Sequence, residues 1–151
     1  QERVQKIKTI IPECCIGVDV IVGFPGETDD DFLKTYNFLN ELDISYLHVF
    51  TYSERPNTDA LEISNVVPKE IRAERSRILH ILSEKKRRFF HEQFIGQTRP
   101  ALFETVKNGK IVGHTDNYIQ VHVAGELDLV NTIQPVQLTE NNGTTSNGVL
   151  G

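Results

Sequence analysis

The apolar positions of the chain change their period twice, and each change marks a different kind of element. Residues 16–24, IGVDVIVGF, form a near-continuous run rich in Val and Ile. That pattern predicts a strand buried on both faces, as in a parallel sheet. Pro25–Gly26 ends the run with a turn. Thr28 followed by Asp31 then makes a capping box for a helix. Phe32, Tyr36, Leu39 and Leu42 follow at helical spacing and define its buried face. Residues 46–52, YLHVFTY, predict a second strand, which completes a βαβ unit. After the loop SERPNTDALEISNVVP, a long helix is expected from Lys69 to Phe94, with Ile71, Ile78, Leu79, Leu82, Phe89 and Phe90 as its apolar stripe.

Gly96 ends that helix, and beyond it the period becomes that of strands. ALFETV, a turn at Asn108–Gly109, KIVGHT and YIQVHV read as a hairpin plus a third strand, and TIQPVQLT closes the series. Short strands with Gly turns predict a small closed barrel of OB or SH3-like size. The tail NNGTTSNGVLG has little core-forming content and is expected to be disordered. The predicted organisation is therefore 1–95, 96–141 and a disordered 142–151, with a fold class of α/β plus all-β.

Composition alters this picture in three places. The 151 residues contain no Met and carry a net charge of −5; the chain is expected to be an internal piece of a longer protein. No apolar run approaches the roughly 18 residues of a membrane span, and no signal peptide is visible in QERVQKIKTI. The overall acidity argues against a polyanion partner, but half of the 16 Lys and Arg lie between Lys69 and Arg88, opposed there only by Glu70, Glu74 and Glu84. Screening cuts charges off within about 10 Å, so the local excess outweighs the sum. The only two cysteines, Cys14 and Cys15, are adjacent. That spacing suits neither a disulfide nor a metal site and fits a reducing, cytoplasmic compartment.

Four segments could carry chemistry. In DVIVGFPGET, a strand runs into a Gly-containing turn, where ligands of α/β sheets bind. Asp19 could accept from ribose hydroxyls and Gly23 could admit a flat base, or Gly23, Pro25 and Gly26 could simply shape the turn. FTYSERPNT leaves the second strand on the same side, offering the Tyr52 ring and the Arg55 charge, or only a polar loop. EKKRRFFH places Lys85, Lys86, Arg87 and Arg88 around a helix that Phe89 and Phe90 anchor, as a phosphate-binding or merely solvated surface. GHTDNY offers His114, Asn117 and Tyr118 for stacking on or hydrogen-bonding to unpaired bases.

Taken together, DVIVGFPGET, YSERPNT, the basic helix and VGHTDNY resemble the radical-SAM methylthiotransferases over residues 10–140. The likeness is greatest to the branch that adds a methylthio group to threonylcarbamoyladenosine beside the tRNA anticodon. The resemblance implies a partial radical-SAM, TIM-like barrel segment containing the βαβ unit and long helix, followed by a TRAM/OB-like β-barrel over about 97–139. It implies S-adenosylmethionine contacts from Asp19, Ile21, Gly23, Phe24, Pro25, Gly26, Glu27, Phe50 and Tyr52. It places Arg55, Lys85, Lys86, Arg87, Arg88, His114, Asn117 and Tyr118 toward RNA, the partner being a tRNA anticodon stem-loop.

The family holds two 4Fe–4S clusters on cysteine motifs, one of them C-x-x-x-C-x-x-C, which this chain lacks. S-adenosylmethionine and both clusters are therefore expected in the full-length enzyme, with none bound to this fragment, no catalytic residue in it and no catalysis by it alone. A free sheet edge invites pairing with a second copy. The alternatives are a stand-alone RNA-binding TRAM module, a methylthiotransferase acting on isopentenyladenosine or a ribosomal protein, and a nucleotide-phosphate domain built on the GFPG turn.

Overall fold

The capping box is formed as expected. In the computed structural model, which describes residues 1–151, the Asp31 amide donates to Thr28 Oγ1 at 3.2 Å and the Thr28 amide to the Asp31 carboxylate at 3.1 Å. This starts α2 (Asp29–Glu41), which follows the short helix α1 (Glu2–Ile10) and strand β1 (Gly17–Val22). Strand β2 (Tyr46–Thr51) returns parallel to β1, with Gly17 opposite Tyr46 and Val22 opposite Thr51. A single helix, α3 (Lys69–Glu92), follows. No helix is long and apolar enough to cross a membrane.

The chain forms two compact units, residues 16–83 and residues 2–15 with 84–151. The division falls within α3 rather than at residue 95, because Phe90 and Phe94 belong to the core of the second unit. In the first unit, Val22, Leu39, Leu42, Ile44, Leu47, Val67, Leu79 and Leu82 are buried. The run 16–24 is not buried on both faces. Asp19, Ile21, His48 and Phe50 form the open face of the two-stranded sheet. On the buried side of β2, Leu47 donates its amide to Ser83 Oγ at 2.8 Å and accepts from the same hydroxyl at 2.9 Å.

The buried stripe of α3 also differs from the expected one. Leu79, Leu82 and Phe90 are buried, but Ile71 is exposed and Phe89 is 66% exposed. Arg72, Arg75, Ser83 and His91 are buried instead. These polar side chains stand on the inward stripe because each has a partner there, as unpaired polar groups would not tolerate the burial.

In the second unit, β3 (Thr98–Lys107), β4 (Lys110–Thr115), β5 (Gln120–Val123), β6 (Ile133–Asn141) and β7 (Ser146–Leu150) close in the order β3-β4-β5-β7-β6. The Asn108–Gly109 hairpin forms as predicted, with Lys107 opposite Lys110. The tail expected to be disordered supplies β7. It pairs parallel to β5 and antiparallel to β6, and Ser146 is fully buried. A strand earns its place here through backbone pairing on both edges, which its polar composition does not reveal. Inside, Phe90, Phe94, Ala101, Phe103, Ile111, Ile119, Val121, Val123, Val136 and Leu138 form one cluster. Gly113 permits the tight β3–β4 approach, since a Cβ there would stand 1.9 Å from the Leu102 carbonyl oxygen.

Two predictions follow from this core. Removing residues 142–151 unpairs β5 and β6, and is expected to lower stability by more than about 2 kcal/mol; an unchanged urea midpoint would contradict the closure. The second concerns His91, which is buried with Nδ1 3.5 Å from Ser146 Oγ. Burial, aided by the positive charge of Arg87, pushes its pKa down to about 4. The folded pKa lies below the unfolded one, so the stabilisation is complete above roughly pH 6.5. It is lost as pH falls toward about 4, at roughly 1.4 kcal/mol per unit. Between pH 7 and 5 the native chain should lose about 2 kcal/mol more than His91→Gln in urea titrations; equal losses would exclude His91 as the source.

Candidate functional site

Both loops at the carboxyl ends of β1 and β2 are set by side chains of α3. After β1, Phe24, Pro25, Gly26 and Glu27 make a turn closed by the Glu27 amide on the Phe24 carbonyl at 3.0 Å. The Glu27 carboxylate folds back to accept from the Gly23 amide at 2.7 Å. Arg75 then binds that carboxylate at 2.6 Å, the Glu27 carbonyl at 3.1 Å and Asp29 at 2.7 Å, with its guanidinium over the Phe32 ring. After β2, Arg72 donates to the Val67 carbonyl (2.7 Å), the Tyr52 carbonyl (3.1 Å) and the Glu54 carboxylate (2.6 Å). Arg72 holds Glu54 well below the usual carboxylate range, at a pKa of about 2, chiefly through that hydrogen bond.

Gly23 shapes the turn, one of the two roles its sequence left open. Its φ is +76°, and a Cβ there would lie 2.4 Å from Arg72 Cγ. The space a side chain would take is filled by the stem of Arg72, so it is not left for a flat base. The Tyr52 ring lies between the edge of Phe24, 5.3 Å between centroids, and the Arg72 guanidinium at 5.3 Å. Its phenol oxygen is buried with no partner. Pro25 is buried and Gly26 exposed. Asp19 and Ile21 face the same side as their register partners His48 and Phe50, giving a carboxylate beside an exposed apolar strip. Arg55 is exposed in the second loop.

On the barrel, the structure brings His114 and Tyr118 together. Their rings stack 4.8 Å apart at 18°, and Tyr118 is 63% exposed with φ +67°. His114 Nδ1 lies 2.7 Å from the Glu104 carboxylate. Glu104 sits where the β3–β4 register shifts, between Phe103 and Thr105. Asn117 does not join this surface. It is 6% exposed and accepts from Thr115 Oγ1 at 2.6 Å, so it holds the turn, with Nδ2 buried and unpartnered. Beside it, Arg99 is clasped by Asp116 and Glu13.

The four consecutive bases are not equivalent. Lys85 and Arg88 are exposed, whereas Lys86 and Arg87 are half-buried and engaged in other interactions. Arg88 pairs with Glu92 at 2.9 Å. An exposed i,i+4 pair is worth only about 0.3–0.5 kcal/mol, so a phosphate could displace it. Sequence reasoning missed Arg72 and Arg75. Their signal was the 72, 75, 79, 82 spacing, which puts both arginines on the stripe of Leu79 and Leu82.

No protein-family model matches the chain. Over 142 residues it is 36% identical to the threonylcarbamoyladenosine tRNA methylthiotransferase MtaB of Bacillus subtilis, covering 91% of this chain and 32% of that protein. The protein of the same name from Aquifex aeolicus is 43% identical over 114 residues, 76% of this chain and 27% of its own length. The tRNA-2-methylthio-N(6)-dimethylallyladenosine synthase of Aliarcobacter butzleri is 36% identical over 151 residues, 97% of this chain and 34% of that protein. The chain thus spans about a third of the length of the curated relatives it matches.

If Arg72 fills the place of a side chain at position 23, Gly23→Ala must both strain the backbone and displace the Arg72 stem. The expected cost is about 1–3 kcal/mol in chemical denaturation. A Gly26→Ala control, whose Cβ meets nothing within 4 Å, should cost only the strain of its positive φ. Equal costs at both positions would remove the packing argument.

Proposed function

We propose that this chain, whose relatives over about nine tenths of its length are tRNA methylthiotransferases of two substrate types, is the RNA-gripping and partly S-adenosylmethionine-binding portion of such an enzyme. The observation that carries this reading is the similarity itself, which spans both units. On this reading residues 16–83 are part of a radical-SAM barrel, the β3–β7 barrel is a TRAM domain, and the enzyme is cytoplasmic. The substrate is the threonylcarbamoyl-modified adenosine next to the anticodon. Support for that choice over dimethylallyladenosine is the YSERPNT loop, since identities of 36% occur to relatives of both types.

The residues fit S-adenosylmethionine in part. Asp19 supplies an acceptor for ribose hydroxyls, while Ile21, Phe50 and Phe24 supply apolar surface beside it. When bound, that cofactor supplies the methyl group for methylthio transfer. Glu27 and Pro25 shape the turn at the edge of the site, and Tyr52 packs behind it. The iron–sulfur clusters do not fit. Cys14 and Cys15 are the only thiols and are adjacent, so cluster ligands belong to other parts of the enzyme and the isolated chain is inactive. The RNA contacts proposed are stacking on Tyr118, backed by His114, and phosphate contacts from Arg55, Lys85 and Arg88.

Fluorescence anisotropy with a tRNA anticodon stem-loop separates these contacts. Tyr118→Ala should weaken binding by about 1–3 kcal/mol at unchanged salt dependence. Lys85→Ala should instead reduce the log–log salt slope by about 1. No binding by the native chain at low salt would refute the RNA role.

A further inference from the structure

Arg72 and Arg75 stand one turn apart on α3, and each reaches a different loop. Arg75 holds the loop after β1 through Glu27 and Asp29. Arg72 holds the loop after β2 through the Tyr52 carbonyl and Glu54, while its stem lies against Gly23 in the loop after β1. One arginine therefore touches both loops and the other pins the first of them again. Apolar side chains would fill an inward helix stripe with a smaller desolvation penalty than two guanidinium groups. What arginine adds is a planar fork that fixes several acceptors in one geometry. Those acceptors lie on the loops at the carboxyl ends of parallel strands, where a ligand of such a sheet binds. The Tyr52 phenol makes no hydrogen bond, and its ring packs against Phe24 and Arg72.

We propose that Arg72 and Arg75 are positioning residues that lock the two loops into one rigid rim, preorganising the open sheet face of Asp19, Ile21 and Phe50 for S-adenosylmethionine. This rests on the reading of that face as part of the S-adenosylmethionine site. Neither arginine touches the ligand; both act through Glu27, Glu54 and Tyr52.

The test uses the full-length enzyme containing this segment, with its clusters loaded, as Arg72→Lys, Arg75→Lys and Glu54→Gln. Equilibrium dialysis gives the S-adenosylmethionine Kd, anisotropy gives the tRNA Kd on the same preparations, and a thermal melt reports stability. Lysine keeps the charge but loses the fork, so each lysine variant should bind S-adenosylmethionine about tenfold more weakly, and Glu54→Gln about threefold, with tRNA affinity held within about twofold. Unchanged S-adenosylmethionine affinity in the variants overturns the proposal. So does a parallel loss of both affinities with the melting temperature, which marks plain scaffolding. Should a lysine variant fail to fold, Glu54→Gln decides, since its side chain is 45% exposed. Native enzyme that fails to bind S-adenosylmethionine refutes the functional reading itself, and so is distinct from native binding with indifferent variants.

Discussion

A guanidinium group taken out of water must be met by acceptors on nearly every N–H, and this requirement organises the first unit. Arg72 finds its acceptors on two separated stretches of chain, at Tyr52 and Glu54 after β2 and at Val67 before α3. Fixing one side chain thus fixes the end of β2, the loop after it and the approach to α3. The Arg72 stem in turn requires a glycine at position 23, which sets the end of β1. Arg75 repeats the device one turn later through its two terminal nitrogens, while its Nε is buried without a partner. Removing a partner from either arginine would leave a buried guanidinium short of acceptors. The geometry of both loops is therefore held far more firmly than their exposed, polar sequences suggest.

The second unit depends on backbone pairing more than on charge. Its barrel closes because β7 fits between β5 and β6, and the buried residue at the start of β7 is a serine set against His91. A neutral imidazole and a hydroxyl satisfy one another where neither would survive burial alone. The register shift at Glu104 is likewise a backbone event with a side-chain consequence, for it accompanies the carboxylate that meets His114 and so orients the stack with Tyr118.

What could be read from the sequence was local. The Thr28–Asp31 box and the Asn108–Gly109 hairpin each depend on residues a few positions apart and form as expected, and the α2 stripe is buried at Leu39 and Leu42 and half-buried at Phe32 and Tyr36. Most of what could not be read depends on tertiary partners. SNGVL carries too little apolar content to announce a strand, and it gains its place only by pairing with the adjacent β6 and the more remote β5. Phe89 and Phe90 look alike in sequence, yet helical phase sends one outward and one into the barrel core. Gly23 looked like room for a ligand, because nothing near it in sequence reveals that Arg72 occupies the space. Asn117 looked like a base reader, but it folds into its own turn.

The same residues bear on the site. Asn117 holds its own turn and Gly23 shapes the turn after β1, one of the two roles its sequence left open, whereas the buried Arg72 and Arg75 shape the loops at the ends of β1 and β2. The exposed chemistry left on the sheet is then small: one carboxylate at Asp19, with the apolar faces of Ile21 and Phe50 beside it. Such a surface contributes one wall and one hydrogen-bond acceptor. On the proposed reading of this face as part of the S-adenosylmethionine site, its selectivity depends on how rigidly that wall is held, since one carboxylate beside apolar side chains offers few contacts. Rigidity in this unit comes from the helix stripe beneath the loops.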